Sequence, residues 1–502
     1  MMKEKNILLK KLPFSAANLF LFLVLLFIRL PFFFRDYIDR DESTFILMGQ
    51  SIADGYLPYD RLWDLKPPLL FYIFGLIEYV FPYSLIAVRL FGVMIIFSSA
   101  VFLLQIARAT GLKNGFWIAL SYILLSSMFG SVQGVMSEHV AVFFMLTGLL
   151  LFVKKKNIFN LFIAGSLFGC ALLCKINYAY PAVALVAYYF INGSFTYIRN
   201  RIKNIIILST GILLPFILIA IPFILENKLP LFIDSVFLAP FEYGQASHVD
   251  IVEKLRKTWW MILLGLVVSF FAIRHTKEEQ KEITWLCALI LLATIYTLFS
   301  IGTINGHYLL QVYPFIALLV IGIIIPKEFK PKFTLLTFFI LLISIETITE
   351  YYRLSLHYIQ QGTLYNGKSF TTIKELKKRQ LENKRIFFAD YHIGYWFLHQ
   401  YPLSKSTTHP SNLARPYLFK YFGSNNNSSM QELKYFMEEI EPEVLVTKNR
   451  DINFFIPGTE EYLYIQTILA NRYNMISSDS NNRIYIWQLN DTVTDVNKRN
   501  FK

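Results

Sequence analysis

Charged residues are scarce in this chain of 502 residues, and their scarcity excludes most soluble folds. Only 17% of the residues are Asp, Glu, Lys or Arg, against about 25% in ordinary globular proteins, while 55% are hydrophobic. Continuously apolar runs such as Leu19–Leu26 and Ile316–Ile325 suit the stretch of about 20 apolar residues that crosses a bilayer. A soluble chain would have to hide all of these runs in one core, so we predict an integral membrane protein.

Cysteine is also rare. The three cysteines, Cys170, Cys174 and Cys287, all lie inside apolar segments, with no spacing typical of a disulfide framework or a zinc site. We predict buried thiols and no certain cofactor, with a divalent metal left open. The sequence also lacks a glycine-rich nucleotide loop, so no soluble nucleotide-sugar domain is predicted.

Basic residues exceed acidic ones and give a formal charge of +13. They gather in short loops between apolar runs, for example Lys154–Lys156. This distribution is the positive-inside pattern, in which Lys and Arg remain on the cytoplasmic side of the membrane. We therefore predict membrane lipids, and no nucleic acid, as the partners of these charges.

When every basic cluster is placed on the cytoplasmic side, the chain crosses the membrane in about eleven spans. The expected fold class is a polytopic α-helical membrane protein of the cytoplasmic (inner) membrane, with a transmembrane domain over residues 1–350 and a cytoplasmic N-terminus. Two outer loops are predicted, at residues 35–82 and 226–257. Within the first, Pro68–Phe81 contains Glu78 and is too short to cross, which favours a helix lying along the surface.

The composition changes near residue 350, where apolar runs shrink to strand length. Arg385–Ala389, Val444–Thr447 and Arg483–Leu489 have the length and composition of strands, and Thr372–Glu382 and Met430–Glu441 resemble helices. Residues 351–502 are therefore predicted to form a small extracytoplasmic α/β domain.

Several ionisable residues lie close to the predicted outer ends of the spans, where charge is costly and usually functional. Carboxylates at this boundary could remove a proton from an acceptor hydroxyl or amine, and cations beside them could stabilise a departing phosphate. The candidate catalytic residues are Asp41, Glu42 and Glu138, and the candidate phosphate-binding residues are Lys66, Lys175, His307 and Tyr308.

Each candidate also has a purely structural interpretation. Asp41 or Glu42 could cap a surface helix, and Lys66 could mark the polar edge of the interfacial helix. Glu138 could interact with a helix dipole, and His307 could be an ordinary interfacial side chain. The residues alone leave these alternatives open.

The order of motifs in the first loop resembles a known family. Asp41-Glu42 is followed by the turn Gly55-Tyr-Leu-Pro-Tyr, by Lys66-Pro67-Pro68 opening an apolar helix, and by Arg89 near the start of the next span. This layout resembles the polytopic glycosyltransferases of the GT-C fold that use polyprenyl-phosphate sugars. Within them it is similar to relatives of protein O-mannosyltransferases and of the aminoarabinose transferase that modifies lipid A.

The resemblance implies a glycosyltransferase with a polyprenyl-phosphate-linked donor and a lipid, glycan or protein acceptor. It makes Asp41 the catalytic base, Lys66 the lysine that meets the donor phosphate, and Glu138 the second-loop acid. His307-Tyr308 resembles a segment bordering the carrier-lipid cavity. Two departures concern the aminoarabinose transferase, which has an acid where this chain has Leu65 and an arginine where it has Thr44; both weaken a claim for its substrate or its metal.

A multi-pass transporter or flippase is the main alternative, since it too would place charges in a membrane cavity. Such proteins commonly show internal repeats and interrupted midplane helices, and neither is evident here. A polymerase or ligase of lipid-linked glycans and a non-catalytic membrane scaffold are further alternatives.

Overall fold

The computed structural model describes residues 16–128, 130–154, 157–191, 198–246, 250–301, 305–325, 333–449, 452, 454–479 and 483–490. Several basic residues used to orient the spans lie outside the described residues, namely Lys10, Lys11, Lys155, Lys156, Lys327, Lys330 and Lys332.

The described chain is helical almost throughout its first 361 residues. Short 3-10 or π segments join some of the helices. In chain order the helices are α1 (Ala16–Arg29), α2 (Arg40–Ala53), α3 (Pro68–Val80), α4 (Leu85–Ala109), α5 (Gly115–Leu125), α6 (Ser137–Lys154), α7 (Ile158–Leu172), α8 (Ala179–Ile191), α9 (Ile198–Leu225), α10 (Leu229–Ile233), α11 (Ala239–Ala246), α12 (Ile251–His275), α13 (Lys281–Ile301), α14 (Tyr313–Leu319) and α15 (Phe333–Gln361).

The remaining elements belong to the C-terminal part and include a four-stranded sheet. They are α16 (Lys368–Lys378), β1 (Ile386–Phe388), α17 (Gly394–Phe397), α18 (Ser429–Lys434), β2 (Val444–Thr447), α19 (Glu460–Arg472), β3 (Tyr473–Asp479) and β4 (Ile484–Leu489).

Among the described residues, seven helical segments are long and apolar enough to cross a membrane. Each of the predicted spans coincides with a helix, but α5, α7 and α8 have only 11, 15 and 13 described residues. The predicted fold class, a multi-pass helical membrane protein with a small C-terminal α/β part, is confirmed.

One span ends earlier than the sequence pattern predicted. Helix α5 stops at Leu125, whereas the third predicted span runs over Gly115–Gly134. The buried guanidinium of Arg29 donates hydrogen bonds to the carbonyl oxygens of Val132, Gln133 and Gly134 at 2.6–3.0 Å. Val132 and Gln133 belong to a short 3-10 segment, Gly130–Gln133, that precedes α6.

The described residues form two compact units. The first unit draws on Met1–Phe33, Arg89–Leu218 and Val249–Arg353, and the second on Phe34–Val88, Ile219–His248 and Leu354–Lys502. All three segments predicted to lie on the outer side belong mainly to the second unit.

The first unit is a bundle of apolar helices. Helix α6 packs against α7, and α13 packs against both α8 and α12. Many side chains of α12 remain exposed, among them Trp259, Leu263 and Phe270, as suits a helix that faces lipid rather than water.

The second unit contains the two helices of the first loop. Helix α2 is capped by Asp39, whose carboxylate accepts from the Asp41 N–H at 2.9 Å, and α3 begins at Pro68, where a missing N–H costs nothing. The helices meet through glycines, because a Cβ on Gly49 would lie 2.8 Å from the backbone carbon of Phe74. This close approach fixes the first turn of α2 relative to the start of α3.

The sheet of the second unit has the strand order β1-β2-β4-β3. Strands β1 and β2 pair in parallel, while β2–β4 and β4–β3 are antiparallel. One face is covered by α18 and α19, which bury Phe387, Leu445, Phe436 and Leu469 together. Strand β3 was not predicted; the other three strands were.

Candidate active site

Asp41 and Lys66 form an ion pair at the start of the two first-loop helices. The Lys66 Nζ lies 3.1 Å from Asp41 Oδ2, and their side chains are 21% and 24% exposed. The ammonium also lies over the ring of Phe45, 5.4 Å from its centroid. A carboxylate and an ammonium are thus held side by side at a position that a ligand can reach.

The loop that carries Lys66 is fixed by buried aromatic residues. The Tyr59 hydroxyl donates to the Lys66 carbonyl at 2.8 Å. The Trp63 indole N–H donates to Ser235 Oγ at 3.0 Å, and the Trp63 backbone N–H donates to Thr408 Oγ1 at 3.2 Å. Both aromatic side chains are fully buried, so the lysine is presented from a rigid support.

Asp64 adds a second carboxyl group close to the ion pair. Its Oδ2 accepts from the Lys66 backbone N–H at 3.4 Å, and the side chain is buried. Burial raises the pKa of Asp64, the nearby Lys66 ammonium opposes this effect, and the Asp41 charge adds to it. Asp64, two residues before the lysine, therefore lies near the ion pair.

Two histidines from the C-terminal part of the chain line the same site. His409 Nε2 lies 3.7 Å from Asp41 Oδ1, and His409 Nδ1 is 2.7 Å from the hydroxyl of Ser411. His392 Nε2 lies 3.0 Å from Thr44 Oγ1. If Ser411 donates to Nδ1, the remaining proton of a neutral His409 faces the Asp41 carboxylate and orients it.

Burial keeps both histidines neutral. It lowers the pKa of His392 to about 3, with the Arg40 charge contributing. It also lowers the pKa of His409 well below its usual value, an effect opposed by Asp41. Neither imidazole is therefore a counterion for Asp41 at neutral pH.

Glu42 differs from its neighbour in accessibility. Its side chain is buried, with 1% of the residue exposed. A general base must come within hydrogen-bond distance of the proton that it removes. Asp41 satisfies this requirement in the described geometry better than Glu42 does.

The remaining candidates gather in the first unit. The Lys175 ammonium forms a short hydrogen bond to Glu138 Oε1, and His307 Nε2 lies 3.9 Å from the same oxygen. Lys175 also lies over the Tyr308 ring, 4.2 Å from its centroid. Glu138, Lys175 and the adjacent pair His307-Tyr308 come from three separate parts of the sequence and form one cluster, in which Tyr308 is half-buried and the other three are buried.

The turn before α6 positions Glu138. Arg29 holds the carbonyls that precede it, and the Ser137 hydroxyl donates to Glu138 Oε2 at 3.0 Å. His139 Nδ1 accepts from the Met136 N–H at 3.1 Å. Arg29 was not predicted as part of this site, because an arginine at the end of a span is ordinarily interpreted as an interfacial anchor.

The predicted residues thus fall into two groups. Asp41, Glu42 and Lys66 lie in the second unit, and Glu138, Lys175, His307 and Tyr308 lie in the first. The histidines beside Asp41 were missed because His409 lies 368 positions after Asp41 in the chain and neither histidine belongs to a recognisable motif.

A metal ion does not fit the donor set around Asp41. The described residues include no group of three or more His, Cys, Asp or Glu side chains that could hold one. The Lys66 ammonium occupies Asp41 Oδ2, the position that a cation would take.

No protein-family model matches the chain, and no curated protein sequence matches it. Solved structures do resemble it. It is similar to ArnT from Cupriavidus metallidurans bound to undecaprenyl phosphate, with 11% identity, a TM-score of 0.48 and coverage of 94% of this chain and 98% of that one.

The chain is also similar to an oligosaccharyltransferase of Archaeoglobus fulgidus. With an acceptor peptide tethered, that structure gives 11% identity, a TM-score of 0.46 and coverage of 86% of this chain and 68% of the other. A second structure, archaeal oligosaccharyltransferase AglB from the same organism in complex with an inhibitory peptide and a dolichol-phosphate, gives 12% identity and a TM-score of 0.45. The match covers 86% of this chain and 69% of the other. Because these TM-scores lie below 0.5, the function proposed below rests on the side chains.

Proposed function

We propose that this protein is a glycosyltransferase that moves a sugar from a polyprenyl-phosphate donor to a nucleophilic acceptor on the outer face of the cytoplasmic membrane. The observation that carries the proposal is the accessible ion pair between Asp41 and Lys66, 3.1 Å apart. It joins the two groups that the transfer requires, a proton acceptor and a cation for phosphate.

The reaction assigns one role to each side chain. Asp41 accepts the proton of an acceptor hydroxyl or amine as that atom bonds to the anomeric carbon of the sugar. The bond between this carbon and the donor phosphate breaks, and the phosphate changes from a monoanionic diester to a more highly charged monoester. Lys66 stabilises that growing charge.

The surroundings of Lys66 favour a lipid-linked phosphate. Helix α3 starts two residues after the lysine and exposes large apolar side chains at Leu76, Tyr79 and Val80. At 1.5 Å per residue, Leu76 lies about 12 Å along the helix from Pro68. A phosphate at Lys66 would thus have apolar surface beside it for a polyprenyl chain.

Lys175, His307 and Tyr308 remain predicted phosphate-binding residues, and they cluster around Glu138, which was predicted to be catalytic. Support comes from Lys175, which combines a carboxylate partner with an aromatic face and is 5% exposed. A cation that is already desolvated interacts strongly with an additional anion. In this proposal Glu138 positions Lys175 and does not itself accept the acceptor proton.

The test uses the purified full-length protein, a series of polyprenyl-phosphate sugars and candidate acceptors. We expect wild type to consume at least one donor, and Asp41→Asn to lower kcat by about 10²–10⁴-fold, the usual contribution of a general base. Asp250→Asn, a change of the same kind at an exposed residue, should leave kcat unchanged.

Retained turnover in Asp41→Asn would remove this residue from the base role. A wild type that consumes no donor, yet moves a lipid-linked sugar across liposomes, would instead support the flippase alternative.

A further inference from the structure

A polar cavity of about 440 Å³ lies in the C-terminal part of the second unit. Its size falls within the range of about 300–1,000 Å³ typical of small-molecule sites. Hydroxyl, amide and charged side chains make up most of its lining, together with the aromatic rings of Phe422 and Tyr435. The first-loop motifs and the proposed reaction make no use of this cavity.

Three polar side chains on the wall form no hydrogen bond with any described residue. They are the ammonium of Lys405, the amide of Asn425 and the hydroxyl of Tyr435. Tyr435 and Asn425 are exposed, and Lys405 is half-buried. These groups could donate hydrogen bonds to an incoming ligand without breaking existing ones.

Among the described residues, no carboxylate forms an ion pair with Lys405. Asp60, the acid that influences it, already forms an ion pair with Lys228 at 3.0 Å. Burial lowers the pKa of Lys405, with Lys228 adding to the effect. An anionic group on a ligand would therefore restore the favourable environment of this ammonium.

Another part of the lining is ordered by hydrogen bonds. The buried carboxylate of Glu432 accepts from the Ser424 hydroxyl at 2.6 Å and from the Asn426 amide at 2.8 Å, both at Oε2. These bonds hold the segment that contains Asn425.

The cavity adjoins the loop that carries the proposed catalytic lysine. Phe422 lines the cavity and packs on Trp63, with ring centroids 4.8 Å apart at 66°. Trp63 lies three residues before Lys66. Trp63 therefore connects the lining of the cavity with the loop that carries Lys66, within the same unit.

We propose that this cavity binds a sugar residue carrying a carboxylate or phosphate, as part of the acceptor. The inference rests on the proposed glycosyl transfer, since it names the chemical class of its acceptor. The acidic group pairs with Lys405, and Asn425 and Tyr435 meet sugar hydroxyls. The aromatic rings offer flat apolar faces to the sugar ring.

The test measures binding of soluble probes to the purified full-length protein by calorimetry. D-glucuronate and glucose 6-phosphate are the acidic probes, glucose is the neutral one, and inorganic phosphate tests for a simple anion site. We expect both acidic sugars to bind more tightly than glucose or phosphate. Lys405→Met should weaken their binding at least tenfold and leave glucose unaffected.

Lys434→Met is the matched control, because Lys434 is an exposed lysine next to Tyr435 that does not line the cavity. Asn425→Ala, at an exposed loop position, gives a second variant in case Lys405→Met unfolds; it should weaken all sugar binding. Unchanged affinity in Lys405→Met or Asn425→Ala, or phosphate binding as tightly as the acidic sugars, would overturn the inference.

The variant Asp41→Asn separates this inference from the proposed function. It should bind the acidic sugars as wild type does while losing transfer. If wild type transfers sugar but binds no acidic probe, the cavity assignment fails and the transferase proposal stands.

Discussion

At the residue scale, accessibility separates the candidate carboxylates. Asp41 is about a quarter exposed and is paired with a lysine that is equally accessible. Glu138 has 1% of its side chain exposed and is paired with a buried lysine. The first arrangement suits a group that exchanges protons with a substrate, and the second suits a group that positions another side chain.

The Glu138–Lys175 pair gives a prediction about stability. Removing one partner of a buried ion pair leaves an uncompensated charge and costs about 3–5 kcal/mol. We expect Lys175→Met to lower the free energy of unfolding in detergent by about this amount, and Glu138→Gln with Lys175→Met to restore most of the loss. Additive losses in the double variant would contradict the pairing.

Asp36 gives a prediction about pH. Its buried carboxylate accepts from the Phe370 N–H at 2.7 Å and the Tyr37 N–H at 2.5 Å, yet burial raises its pKa from 3.8 to about 6. The folded state therefore binds the proton more tightly than the unfolded state. The stability that this group contributes is fully present below about pH 4 and is lost as the pH rises through about 6.

The measurement compares wild type with Asp36→Asn, which stays neutral. The difference between the two pKa values, 3.8 and about 6, corresponds to about 3 kcal/mol at about 1.36 kcal/mol per pKa unit. Relative to this variant, the free energy of unfolding of wild type should therefore fall by up to about that amount between pH 4 and 7. Parallel pH profiles for the two proteins would show that Asp36 does not titrate in this range.

At the scale of elements, α2 carries Asp41 and α3 begins two residues after Lys66, so a shift between these helices should disturb the ion pair. A Cβ on Gly49 would lie 2.8–2.9 Å from backbone and Cβ atoms of Phe74, so one helix must shift to admit a methyl group. We expect Gly49→Ala to cost about 1–3 kcal/mol of stability and to lower transfer. Thermal unfolding and transfer assays measure both effects. Gly244→Ala is the control, because a Cβ there meets nothing within 4 Å, and it should lower neither stability nor transfer.

The elements also show what a sequence can and cannot predict. Helix α3 and strands β1, β2 and β4 follow from continuous apolar runs, which specify local structure directly. Strand β3 was missed because a bulge between Met475 and Ser477 interrupts the alternation that marks a strand. Asp41 and Lys66 were both predicted as site residues from motifs of the first loop, although their ion pair was not. The approach of His409 depends on tertiary folding that no local pattern encodes.

At the scale of the whole molecule, the sidedness of the membrane remains a prediction that labelling can test. With Cys170, Cys174 and Cys287 replaced, Asn427→Cys in the C-terminal part should react with a membrane-impermeant maleimide on intact cells. Lys277→Cys, in the loop between α12 and α13, should react only after permeabilisation. Both positions are exposed, so the opposite pattern would reverse the predicted orientation.

In the proposed reaction, the ion pair between Asp41 and Lys66 also affects the order in which the substrates bind. While the lysine neutralises the carboxylate, Asp41 is a weaker base toward an acceptor that binds before the donor. A water molecule at the acceptor position is also poorly activated. A donor phosphate that draws the ammonium away releases the carboxylate. The enzyme should therefore follow a compulsory order, donor before acceptor, with little hydrolysis of the donor and with the spent carrier lipid acting as a competitive inhibitor of the donor alone.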